Sequence, residues 1–144
     1  MATKTTIPVI ALLSLSLLAG GTVSAQDGGT LEVTVQYTGT EGAVNEERPI
    51  IIAMFDNPPA GESATPVGFP QLVQENGVTV TFEDLTTSPV YVVAFFGNPA
   101  SGQPVSGGPL GIYGDSWEEP DGIDITDGDT VEIELRFDDT LRMP

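Results

Sequence analysis

The sequence predicts an all-β protein, an antiparallel Greek-key β-sandwich of about seven strands. Three observations carry this. Three segments alternate apolar and polar residues, and two more are short runs that are apolar on both faces. Clusters of Gly, Pro, Asn and Asp punctuate the chain between them. No helix of useful length is signalled past the N-terminal apolar run, and no internal repeat is present.

Taken in order, residues 1–25 read as a secretory signal peptide. MATKTT carries one lysine, IPVIALLSLSLLA is apolar, and GGTVSA places Val23 and Ala25 at −3 and −1, so cleavage is expected before Gln26. The apolar run 7–19 is 13 residues long, short of the roughly 20 that a membrane-spanning helix needs. Removing 25 of the 144 residues leaves 119, one domain over 26–144. Such a chain buries enough surface to fold without disulfides, and it has no cysteine to form them. No second apolar run of spanning length follows, so a secreted, extracellular or periplasmic protein is expected.

Residues 31–37 (LEVTVQY) set Leu31, Val33, Val35 and Tyr37 against Glu32, Thr34 and Gln36, as in a half-buried strand. Residues 78–82 (VTVTF) repeat the pattern with Val78, Val80 and Phe82 inward. Residues 130–137 (TVEIELRF) repeat it with Val131, Ile133, Leu135 and Phe137. Ile50–Phe55 (IIIAMF) and 90–96 (VYVVAFF) are rich in β-branched and aromatic residues, which suits central strands. Weaker strands are expected at 71–74 and 123–126, and the tail FDDTLRMP is expected to end the last strand and fray. The connections 57–70 and 97–122 are long for a sandwich, so function is to be sought there.

With those strands laid out, the chain resembles a transthyretin-like (prealbumin-like) β-sandwich, the fold shared with carboxypeptidase regulatory-like domains. More narrowly, it is similar to an uncharacterised family of secreted bacterial domains. TLEVTV, IIIAMFD and FEDLTTSPVYVVAFF carry the likeness in order, followed by Pro109, Tyr113, Gly114 and Ser116 of PLGIYGDS. Members of that family often carry an Asp/Asn-rich, cation-capable loop after the Tyr strand. Here its equivalent is GNPASGQP, which has Asn98 and no carboxylate.

Charge and inventory narrow the function. Once Lys4 leaves with the signal peptide, three arginines face 21 carboxylates, a formal charge of −18. That surface repels nucleic acid and anionic membranes, and it favours cations and basic partners. The same acidity suits a protein adapted to salt. The exported chain has no His, Cys or Lys, which removes His-assisted triads, thiol nucleophiles, Schiff-base lysines and His- or Cys-bound zinc. No catalytic residue or cofactor is assigned, and a carboxylate-only hydrolase is the remote alternative.

Calcium, which takes six to eight oxygens, is the one metal considered. Its candidate ligands are Asp115, Glu118, Glu119 and Asp121 in the acidic stretch 113–129, although EF-hand spacing fails at both Gly122 and Gly128. The competing reading of that stretch is a solvated, turn-rich surface. Tyr113 and Trp117 are candidates for a sugar-stacking platform, the alternative for Trp117 being a lid over the core's edge. The leading expectation is a non-enzymatic binding or structural module with a protein or glycan partner at the cell exterior. Its contact surface would be the long loops.

Overall fold

The computed structural model describes residues 28–143, so the expected signal peptide lies outside the described residues. The chain is all-β. Seven strands follow in order: β1 Gly29–Tyr37, β2 Ile50–Phe55, β3 Gln71–Val73, β4 Thr79–Leu85, β5 Tyr91–Phe96, β6 Leu110–Ile112 and β7 Thr130–Phe137. They form a three-stranded sheet, β4-β1-β7, and a four-stranded sheet, β3-β2-β5-β6. Leu31, Val33, Val35 and Leu135 from the first sheet meet Ile50, Ile52, Met54 and Val92 from the second in one core. All eight are buried. Each Val, Leu or Ile so buried stabilises the fold by about 1.5–3 kcal/mol.

One pairing departs from the antiparallel expectation. β1 and β7 run parallel, in unbroken register from Thr30↔Thr130 to Tyr37↔Phe137. Both strands are apolar on one face with the same phase, so the register stacks Leu31, Val33, Val35 and Tyr37 beside Val131, Ile133, Leu135 and Phe137. No hairpin ties the two, and most of the domain lies between them, which supplies the crossover that a parallel pair requires.

Strand membership also departs from the expected set. Residues 123–126 form no strand. Ile123 makes a single bridge to Val90, closed by two backbone hydrogen bonds of 2.8 and 3.0 Å, and Ile123 and Ile125 are buried. The seventh strand is instead β6, inside the segment 97–122 expected to be a loop. Gly111 is what lets β6 lie against β7: a Cβ there would come within 2.6 Å of Phe137 Cβ.

The phase of β4 shifts as well. Phe82 is buried and Val80 packs partly on the core, but Val78 is 36% exposed. Asp84 takes a left-handed φ of 55° and the β1–β4 register slips between Gly29 and Leu31. The resulting bulge turns Leu85 inward.

Nor does the tail fray. The Leu110 amide donates to Leu141 O at 2.8 Å, and the Met143 amide donates to Gly108 O at 2.9 Å. Asp139 accepts from the Tyr37 hydroxyl and from the Thr40 amide at 2.8 Å. Arg142 pairs with Glu41 at 2.9 Å. The tail therefore straps β6 to the β1 corner.

Candidate binding groove

IIIAMF and YVVAFF are apolar on both faces because sheet β3-β2-β5-β6 is covered on both. Ile50, Ile52 and Met54 of β2, with Val92, Ala94 and Phe96 of β5, face the core. Ile51, Ala53 and Val93, on the opposite face, are buried too, although no third sheet exists among the described residues. A layer of loops covers them.

Two of these loops leave opposite ends of the β2–β5 pair, because Ile50 lies opposite Phe96 and Phe55 opposite Tyr91. The loop after β2 is closed by Asp56: its amide donates to Thr65 O at 3.0 Å and its carboxylate accepts from the Thr65 amide at 2.7 Å. The loop after β5 is closed by Asn98, whose side chain accepts from the Ala100 amide at 2.8 Å. The Asn98 amide donates to Gln103 O at 2.9 Å. Both fold back over the sheet.

The third cover is the loop carrying Trp117. Its neck is pinched by the Gly114↔Pro120 bridge and by the Asp121 amide donating to Tyr113 O at 2.9 Å. Gly114 has φ 133°, and a Cβ there would sit 2.4 Å from the Asp121 nitrogen, so the neck requires glycine. Inside the loop, Ser116 Oγ accepts from the Glu119 amide at 3.0 Å. That small turn carries Trp117, half-buried, to the sheet's outer face.

The loop layer leaves a gap of about 330 Å³. Its floor is Ala53, Phe55, Val93, Phe95 and Leu110; its walls are Pro59, Pro66, Pro70, Pro104, Trp117 and Met143. Apart from the Trp117 indole, Gln103 supplies the one polar side chain, and no charged residue lines it. Beside it in the chain, Phe69 is 86% exposed and Leu72 48% exposed. Prolines and short strands make a stiff frame, since proline fixes its own φ.

The residues singled out from the sequence are thus divided by the fold. Trp117 is on the groove wall over the outer face of the sheet, and it also lines a cavity beside β6 and β7 with Leu110, Ile112 and Phe137. Tyr113 packs against the core and lines a different cavity with Asp115, Asp121, Glu134 and Arg136. Asp115 and Asp121 flank the neck of the Trp117 loop, with Glu118 and Glu119 along it. Among the described residues, no three acidic side chains converge into a group able to hold a metal ion. No helix among them is long and apolar enough to cross a membrane.

Sequence reasoning missed Phe55, Phe95, Met143 and the four prolines. A signal for them existed: two strands apolar on both faces demand a second cover, and the proline-bearing loops beside them are the nearest material.

A second cavity, of about 390 Å³, opens at the end of the sandwich beside Glu41, Glu47, Arg48 and Asn98. There the Arg48 guanidinium lies 4.4 Å from the Phe96 ring centroid and donates to Glu41 O at 2.7 Å. Its cation is engaged in packing that corner.

Comparisons of the chain with protein-family models, with curated proteins and with solved structures find no match.

Proposed function

We propose that this is a secreted, non-enzymatic β-sandwich module that binds a partner at the cell exterior through the groove over β2, β5 and Trp117. The two-sheet architecture is read as the Greek-key, transthyretin-like sandwich that the sequence resembles. One observation carries the proposal. A neutral, apolar, proline-walled groove opens on a molecule otherwise rich in carboxylates. Apolar surface left open on so acidic an exterior marks an interaction site, and the volume lies at the lower end of the range for ligand sites.

Nile red, a neutral dye that fluoresces in apolar surroundings, tests this. Saturable binding to one site, with quenching of Trp117, is expected. Ala53→Leu fills the groove from its floor and should weaken binding by at least about tenfold, a loss of roughly 1.4 kcal/mol. Thr34→Val on the outer face of β1 should change nothing. Dye binding indifferent to Ala53→Leu would remove the groove as the contact surface.

A further inference from the structure

Resting on that groove reading, we propose that the occupant is a cationic segment of a partner protein, with one or two apolar side chains seated between Trp117 and Phe95 and with lysine or arginine on either side. The seat and its surroundings call for different chemistry. The seat is uncharged, and with only Gln103 and the Trp117 indole as polar side chains it leaves most hydroxyls of a sugar without partners, a costly arrangement for buried polar groups. An apolar side chain has no such requirement.

The surroundings are acidic. Asp56 follows Phe55 in the chain, Glu62 stands in the loop between Pro59 and Pro66, and Glu118 and Glu119 follow Trp117. Glu62, Glu118 and Glu119 are exposed and Asp56 is partly so, and among the described residues none of the four is in a salt bridge. The three arginines among the described residues each have a partner of their own: Arg136, which lines one cavity with Trp117 and Glu118, pairs with Glu134, Arg142 pairs with Glu41, and Arg48 lies on Phe96. The loops that wall the groove thus carry negative charge that no salt bridge among the described residues compensates. A basic segment is drawn toward it, and an anionic lipid or fatty acid is repelled.

Trp117 is the chain's only tryptophan, so its fluorescence reports on the seat directly. Three short peptides serve as probes: a Leu-Phe-Leu centre between pairs of lysines, the same centre between pairs of glutamates, and a Ser-Gly-Ser centre between pairs of lysines. The first is expected to shift Trp117 emission saturably, to bind at least about tenfold more tightly than the second, and to weaken as salt rises. The third should leave Trp117 unchanged. Replacing Glu118 and Glu119 together by lysine should erase the preference for lysine flanks while Nile red still binds.

Equal binding of the lysine- and glutamate-flanked peptides would overturn the cationic partner and leave the groove standing. Binding of phosphatidylcholine vesicles, with no response to any peptide, would replace the peptide by a lipid. No response to peptide, vesicle or Nile red would sink the groove reading itself.

Discussion

The Tyr37 hydroxyl donates to Asp139 and in turn accepts from the Glu41 amide at 2.9 Å, fastening the tail to the end of β1. The hydrogen bond from Tyr37 holds the Asp139 carboxyl below its ordinary range, helped by the Thr40 amide. Burial first, and then the bond to Asp139, raises the Tyr37 phenol above its own ordinary value. A carboxyl depressed in the folded state stabilises fully above the unfolded value of about 3.9 and loses that contribution as pH falls below it. A phenol raised by folding stabilises below about pH 10 and loses its contribution as pH rises through the folded value. Tyr37→Phe should therefore lower the melting midpoint at pH 7, and the gap from the parent protein should narrow as pH drops below about 4. A gap independent of pH down to about pH 2 would show that the hydroxyl has no bond to an ionised carboxylate.

Glycine decides two matters at the scale of elements. Gly111 admits Phe137 against the backbone of β6, so Gly111→Ala should destabilise by about 1–3 kcal/mol, measured by urea unfolding, because the neighbour is a packed core ring. Gly114→Ala acts on the neck of the Trp117 loop. The fold should survive, while Trp117 emission shifts to the red as the side chain moves into water. An unshifted emission would mean that the neck does not position Trp117. The one-faced strands β1 and β7 were legible in the sequence, because alternation at period two records which face is wet. β6 was not: three residues with a central glycine carry no periodicity, and the strand exists through its pairing with β5, with Phe137 and the returning tail beside it. The bulge at Asp84 was equally hidden, since a left-handed aspartate leaves no mark in an apolar pattern that simply lapses after Phe82.

At the scale of the whole molecule, a chain rich in carboxylates opens a neutral groove. The compositional half of that contrast was legible, and it already favoured basic partners. The groove was not, because Pro59, Pro104, Trp117 and Met143 are far apart in the chain and converge only when the loops fold back over β2 and β5. The acidic stretch that holds the calcium candidates also contributes a tryptophan to the groove wall. With no converging acidic group on the described residues, millimolar calcium should leave the melting midpoint where an equal ionic strength of sodium leaves it. A specific rise that grows with calcium concentration would restore the metal reading.

Methyl-resolved NMR during a titration with a neutral apolar probe such as Nile red tests the central claim most directly. Methyl signals of Val93, Leu110 and Met143 on the groove should shift together and saturate, while those of Leu31, Val33 and Val35 between the sheets stay fixed. Shifts that begin at the core methyls, or that spread over the surface without saturating, would contradict it.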